Sequence, residues 1–370
     1  MAYKPSSDKI LFFTTGFLTI FGLVMVYSAS CVTASSEHGI SSYFFLRQLL
    51  YAGVGFLFLI LLMKLDCKLL QQPKTIMLLL AICAIALVFV LTQPKVNGAH
   101  RWLRFGSLST FQPSEIAKLI VLIFIAWYLQ KHDDEINQPI RRLLPFGVIV
   151  GVFAGLIAIE PDFGQALCLC MIAGVLLYVA GLAWQYFAAA ALLAVPALYF
   201  CIRMFPYRWD RIKAFVDPFG DPLGIGWQIS QSLIAVGSGG FTGLGLGNSK
   251  QKLFFLPEAS SDFIFAIIGE EIGLIGTSLV VIAFLVYFYR GIKISLRSPN
   301  RFGFYLGLGI TLMVVLQGFI NISMVLAMMP TKGIALPFMS QGGSSLLLNL
   351  LATGLLLNLS HQNKFAEVAK

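Results

Sequence analysis

The chain has 370 residues, of which 58% are hydrophobic and 12% are charged, and its mean hydropathy is +0.84. These values exclude a soluble globular domain and indicate an integral membrane protein. The formal net charge is +9, but no basic cluster stands on a soluble module. An anionic lipid or a phosphate therefore suits the charge better than nucleic acid does.

Ten apolar segments have the length of a membrane span, which needs about 20 residues as a helix. Their predicted cores are 10–30, 43–63, 75–93, 115–130, 143–160, 163–180, 183–203, 263–289, 303–328 and 343–360. The uncharged run 163–202 is too long for one span, so we expect two helices that turn near Gly181. The sequence predicts an all-α polytopic membrane protein that forms one domain over residues 1–370.

Lys and Arg residues in the short loops favour a cytoplasmic location for both termini. The long segment at about 204–261, between the seventh and eighth spans, then lies outside the cytoplasm. It alternates Asp-Pro and Gly-rich turns with amphipathic pieces, which predicts short helices joined by turns. Cations on the outer face indicate an anionic ligand there, although they could also snorkel to lipid headgroups.

The first polar group is N-G-A-H-R-W-L-R-F-G at 97–106, followed by F-Q-P-S-E-I-A-K-L at 111–119. Pro113 suits the first turn of a helix. Glu115 and Lys118 are three residues apart, so they share one helix face and can pair. A structural ion pair and a role in a substrate site both remain open.

The second polar group is E-P-D-F-G-Q at 160–165, in a tight turn between two spans. Its two carboxylates could bind a metal or share a proton, but a plain Pro-containing turn is the favoured interpretation. No zinc or Walker pattern occurs in the sequence. The residues do not decide whether a divalent cation such as Mg²⁺ or Mn²⁺ takes part, and we assign no metal ligand.

The stretch 246–276 begins with a Gly-rich loop and carries Lys250, Lys252, Glu258 and Asp262 ahead of an apolar run. An acid at the entry to a hydrocarbon slab is costly and is a functional candidate for that reason. Capping of the following helix by Ser261 or Asp262 is an equally good interpretation.

The segment 329–345 carries two prolines, three glycines and several hydroxyl side chains between two spans. Lys332 and the backbone of 340–345 could meet phosphate oxygens. A purely structural re-entrant loop is the alternative.

Taken in order, the motifs N-G-A-x-R-W, Q-P-S-E-x-x-K, P-D-F-G, L-P-E-x-x-x-D-F-I-F-A and P-T-K-G-x-x-L-P-F resemble those of the SEDS family (shape, elongation, division, sporulation). The resemblance covers nearly the whole chain. The P-T-K-G version at 330–333, with His100 before Arg101, is similar to the FtsW-type rather than the RodA-type branch. Ser261 before the acid and Gln341 in the later motif depart from the family's commonest residues without removing a charge.

The resemblance implies a peptidoglycan glycosyltransferase, that is, a hexosyltransferase of cell-wall synthesis in division. It would polymerise lipid II, an undecaprenyl-diphosphate-linked disaccharide pentapeptide, at the outer face of the bacterial cytoplasmic membrane. Its expected partners are a class B penicillin-binding transpeptidase and other divisome proteins at the division site, and no nucleic acid. A lipid II flippase and a non-catalytic scaffold that recruits the transpeptidase remain alternatives.

The resemblance also places the catalytic carboxylate at Asp262, as the base that takes a proton from the attacking sugar hydroxyl. Cations must neutralise the leaving diphosphate. The candidates for this role are Arg101, Lys118, Lys250, Lys252 and Lys332, with Glu115 orienting Lys118. The expected substrate-binding set also includes Glu258, Ser344 and Ser345.

Overall fold

The computed structural model describes residues 7–94, 100–105, 109–204 and 206–368. Lys95 and residues 97–99 and 106 of the first polar group lie outside the described residues. In chain order the helices are α1 (Lys9–His38), α2 (Tyr43–Leu62), α3 (Pro73–Val90), α4 (Pro113–His132), α5 (Leu144–Ile159), α6 (Phe163–Val179), α7 (Trp184–Arg203), α8 (Pro206–Val216), α9 (Trp227–Gly239), α10 (Ile264–Leu296), α11 (Arg301–Val325) and α12 (Gly343–Val368). The strands β1 (Leu103–Phe105) and β2 (Ser109–Phe111) pair antiparallel between α3 and α4.

Among the described residues, eight helices are long and apolar enough to cross a membrane, and α6 and the first part of α7 are shorter apolar helices. These ten elements follow the order of the ten predicted spans, so the polytopic helical fold is confirmed. The hairpin of β1 and β2 is an addition that the sequence did not predict.

Local sequence explains where several helices begin and end. Pro73 and Pro113 occupy the first turns of α3 and α4, where the absence of a backbone N–H has no consequence. The Asp162 side chain accepts a hydrogen bond from the Gln165 backbone N–H and so caps α6. Gly181 has a φ of 88° and forms the predicted turn between α6 and α7.

The centre of the bundle is formed by α4, α11 and α12. The most apolar stretches of these helices are 83%, 72% and 83% buried, compared with 22% for α2. The helix α2 packs on α12, α3 packs on α4, and α10 packs on α11. By contrast, α7 is exposed along most of its described length, and it contacts α8.

The helix α10 is broken near its first third, where Gly273 has a φ of 71°. The loop 240–245 supplies partners for the interrupted backbone. Leu244 N–H donates to the Glu270 carbonyl at 2.9 Å, and Leu274 N–H donates to the Gly240 carbonyl at 2.9 Å. Irregular backbone at membrane depth is stable only when its polar groups are satisfied in this way.

Candidate functional site

Asp262 lies next to residues that are hydrogen-bonded to a second segment, the loop that follows α11. The backbone N–H of Gln341 donates to the Ser260 carbonyl at 2.9 Å. The Ser340 hydroxyl donates to the Ser261 carbonyl at 2.6 Å. The turn that carries Asp262 is therefore bound to the loop 330–342, which follows α11.

The carboxylate of Asp262 faces the P-T-K-G sequence of that loop. Its Oδ2 lies 3.1 Å from the position that a Cβ on Gly333 would occupy. On α11, the Nδ2 of Asn321 donates to the carbonyls of Asp262 and Ile334, at 2.7 Å each. The capping interpretation of Asp262 is wrong, because α10 begins after Phe263 and no side chain caps it.

The surroundings of Asp262 favour its protonated form more than water does. Burial and the charges of Glu258 and Asp162 together raise the pKa of Asp262 to about 7, against the opposing effects of Arg101 and Arg211. A carboxylate with a pKa near neutrality is suited to exchange a proton with a substrate at physiological pH.

Glu258 shapes the turn in front of Asp262. Its φ is 54°, and its carbonyl accepts hydrogen bonds from the N–H groups of Ser261 and Phe263, at 3.2 and 3.1 Å. Its carboxylate is exposed and accepts the Ser261 hydroxyl at 2.7 Å. Glu258 thus acts on Asp262 through both the turn and its charge.

Three cations border the site. The Arg101 Nε donates to the Glu160 carbonyl at 3.1 Å, and its guanidinium also donates to the Pro161 carbonyl. Arg211 on α8 donates to the Thr331 carbonyl at 3.1 Å. Lys332 is half-buried, and its pKa is lowered by burial and by the charge of Arg211.

Arg211 was not among the residues predicted from the sequence. It is 120 positions away from Thr331, and only the packing of α8 brings the two together. The same helix is fixed to α6, since the Arg208 guanidinium lies 3.7 Å from the centre of the Phe163 ring. The aromatic and basic composition of the long segment was the one signal for this contact.

The turn between α5 and α6 places two acids beside the site. Burial and the charge of Asp162 together raise the pKa of Glu160 to about 8. Asp162 accepts a hydrogen bond from the Gln112 amide at 3.0 Å, and its own pKa is raised by burial. In the part of the chain that the structure describes, no three His, Cys, Asp or Glu side chains are grouped to hold a metal ion.

The predicted pair of Glu115 and Lys118 is confirmed, with 2.9 Å between Oε2 and Nζ and both side chains buried. Lys118 Nζ also donates to Gln165 Oε1 at 2.6 Å and to Gln317 Oε1 at 3.2 Å. These three acceptors match the three N–H bonds of an ammonium. Gln317 in turn donates to the Ala335 carbonyl at 3.0 Å. The Glu115–Lys118 pair is therefore connected to the loop 330–342 through Gln317.

Lys252 lies in a second buried pair rather than at the surface. Its ammonium is 2.7 Å from Glu271, 2.6 Å from the Gly247 carbonyl and 3.3 Å from the Ser28 hydroxyl. Because these contacts use all of its donors, the geometry gives Lys252 a structural role instead of a contact to diphosphate. Lys250 differs, since its side chain is exposed while its backbone N–H donates to Glu270 at 2.9 Å.

The two candidate serines are buried at the start of α12. The Ser344 hydroxyl accepts the Gln112 backbone N–H at 3.1 Å, and the Ser345 carbonyl accepts Asn349 Nδ2 at 2.8 Å. Through Ser344, the start of α12 is joined to the residue that precedes α4. In this structure both serines therefore make structural contacts at the start of α12.

Comparison with known proteins gives matches over nearly the full chain. The family model FTSW_RODA_SPOVE, described as "Cell cycle protein", matches residues 8–365. A protein of Trichlorobacter lovleyi named "Probable peptidoglycan glycosyltransferase FtsW" is 39% identical over 98% of this chain and 95% of its own length. "Stage V sporulation protein E" of Bacillus subtilis is 40% identical over 98% of this chain and 99% of its own length.

Solved structures match the fold as a whole. One chain, from a structure described as "Structural coordination of polymerization and crosslinking by a peptidoglycan synthase complex", superposes with a TM-score of 0.78 at 26% identity, covering 96% of this chain and 98% of that chain. A variant of the rod shape determining protein RodA from Thermus thermophilus gives a TM-score of 0.71 at 25% identity, covering 97% and 98%.

Proposed function

The chain belongs to the FtsW/RodA/SpoVE family of cell cycle proteins, and on that premise we propose that it is a peptidoglycan glycosyltransferase of the cytoplasmic membrane. Its substrate is lipid II, which it polymerises into glycan strands at the outer face during septal wall synthesis. Both termini lie in the cytoplasm, and a class B penicillin-binding transpeptidase is its partner among the divisome proteins.

Asp262 acts as the general base. The hydroxyl of the acceptor sugar attacks the anomeric carbon of the donor, and Asp262 takes the proton of that hydroxyl as the new C–O bond forms. The anomeric C–O bond to the diphosphate breaks, and the polyprenyl diphosphate leaves with the bonding electrons. General-base assistance of this kind contributes roughly 10²–10⁴-fold to a rate.

The cations that border the loop 330–342 stabilise the leaving diphosphate. Arg101 and Lys332 take this role, together with Arg211, while Lys250 offers an exposed ammonium on the segment that precedes Asp262. Lys118 and Lys252 contribute through the buried pairs that hold the frame, with Glu115 and Glu271 as their partners.

The observation that carries this proposal is the place of Asp262. The carboxylate lies beside Gly333 with a pKa of about 7, in the electrostatic reach of Arg101 and Arg211. A flippase needs cations for the same lipid but no base at this point. A scaffold needs neither.

The test uses the full-length chain in lipid nanodiscs and in proteoliposomes, with and without the transpeptidase, supplied with labelled lipid II. Glycan strands resolved on a gel support the glycosyltransferase. Movement of lipid II across the liposome bilayer without glycan formation would favour the flippase. Stable binding of the transpeptidase with neither activity would favour the scaffold.

A further inference from the structure

Asn321 is a fully buried amide near the C-terminal end of α11, one of the three central helices. Its Nδ2 donates to the Asp262 carbonyl and to the Ile334 carbonyl, each at 2.7 Å. A primary amide nitrogen carries two hydrogens, so both are used. One side chain therefore bridges two segments that are far apart in the sequence.

The two carbonyls belong to the two segments that meet at the site. Asp262 lies two residues before the start of α10 at Ile264, and Ile334 directly follows Gly333. We propose that Asn321 is a positioning residue, which sets the distance between the Asp262 carboxylate and the segment 330–334. The inference rests on the proposed function, in which Asp262 is the base and Lys332 faces the diphosphate.

The residue type fits this role. Asn is a small neutral side chain with two N–H bonds on one atom, so it can join two carbonyls without bringing a charge. A carboxylate in its place would face two carbonyl oxygens, and a leucine would fill the space without donating. Gln317, one helical turn earlier, donates to the neighbouring Ala335 carbonyl at 3.0 Å, so one face of α11 holds two consecutive residues of the loop.

A matched control exists in the same chain. Asn358 on α12 is also buried, and its Nδ2 donates to the carbonyls of Leu62 and Leu65, again at 2.7 Å each. It lies about 22 Å along α12 from the end that meets the site, at about 1.5 Å of rise per residue. The two Nδ2 groups make the same pair of bonds, although Asn358 Oδ1 also accepts from Cys67 and Gln362 while Asn321 Oδ1 has no partner among the described residues. Of the two asparagines, Asn321 is the one that holds Asp262.

The experiment compares Asn321→Leu with Asn358→Leu in the full-length chain in nanodiscs. We expect similar losses of thermal stability in both variants. For lipid II polymerisation, we expect kcat to fall roughly 10- to 100-fold in Asn321→Leu alone, with KM within about twofold, because a displaced base impairs the chemical step. A kcat loss of the same size in both variants, or an unchanged kcat in Asn321→Leu, would overturn the proposal.

A second measurement does not depend on activity. Amide hydrogen exchange without substrate should rise at 258–263 and 333–336 in Asn321→Leu and stay unchanged there in Asn358→Leu. If the wild-type chain makes no glycan, the proposed function fails, while the exchange pattern still decides whether Asn321 fixes these segments. Unchanged exchange in Asn321→Leu would contradict the inference on its own.

A failure of Asn321→Leu to accumulate is also informative. Asn321→Asp then replaces it, with Asn358→Asp as the control, because Asp keeps the shape and removes both donors. If both Asn321 variants fail to fold while both Asn358 variants fold, the contacts hold the fold rather than the position of Asp262. That result would overturn the positioning role.

Discussion

The carboxylate of Asp262 lies against the α-carbon of Gly333, with only 3.1 Å between Oδ2 and the place of a Cβ. A methyl group there must push the carboxylate away by a few tenths of an ångström. We therefore expect Gly333→Ala to fold normally and to lower kcat for polymerisation by roughly tenfold, because the Asp262 carboxylate would be displaced from the acceptor hydroxyl. Gly342→Ala is the control, because its Cβ would have 3.8 Å to the nearest atom, on Ser345. Equal rates for the two variants would contradict the proposed contact.

Asp262→Asn separates charge from shape. The amide keeps the size of the side chain but cannot accept a proton, so polymerisation should fall by about 10²-fold or more. Thermal stability and binding of the transpeptidase should stay near the wild type, because no described hydrogen bond caps α10 through this side chain. Wild-type polymerisation by this variant would remove Asp262 from the chemistry.

The pH dependence of polymerisation should follow the ionisation of Asp262. A base works in its ionised form, so kcat should rise with pH through about 7, the pKa of Asp262. Glu258→Gln removes a negative charge that raises this pKa, so the rise should move to lower pH. Glu135→Gln is the control, since Glu135 is an exposed acid paired with Arg142. An identical shift in both variants would sink the assignment of the titrating group.

The Glu115–Lys118 pair should tolerate joint removal better than the loss of one partner. Lys118→Met leaves a buried carboxylate without its cation, which destabilises the fold by roughly 3–5 kcal/mol. The double variant Glu115→Leu/Lys118→Met should recover part of this, though Gln165 and Gln317 lose a partner in it. Unfolding curves in detergent measure the difference. Equal damage in single and double variants would instead indicate direct contact with substrate.

Labelling with a membrane-impermeant thiol reagent on intact cells tests the orientation. In a background without native cysteines, Ser238→Cys on α9 should be labelled and Gln138→Cys, between α4 and α5, should be protected. Both positions are exposed, whereas the neighbouring Ile136 is fully buried and unsuitable. The opposite pattern would reverse the proposed location of both termini.

Features set by neighbours in the chain were predictable from the sequence. The apolar runs located the spans, Pro113 marked the start of α4, and Gly181 marked the turn after α6. The spacing of Glu115 and Lys118 predicted their pairing, because residues three apart share a helix face.

Features set by distant residues were not predictable. Gln317 and Asn321 stand in a mostly apolar helix, and no spacing connects them to Ala335 or Asp262. The sequence suggested that the Lys252 ammonium could bind phosphate. In the structure this ammonium forms an ion pair with Glu271, in the first part of α10. Such partners become visible only once packing has brought the helices together.

The break in α10 at Gly273 also bears on how the protein is made. The loop 240–245, whose backbone bonds to the interrupted part of α10, comes earlier in the chain. Ser28 and Lys252, which bind the Glu271 carboxylate, also come earlier. During synthesis from the N-terminus, every one of these partners leaves the ribosome before Glu271 and Gly273 do. The interrupted helix and its two acids can therefore reach the bilayer with their partners already present. Moving α10 ahead of α9 by circular permutation would remove that order of arrival.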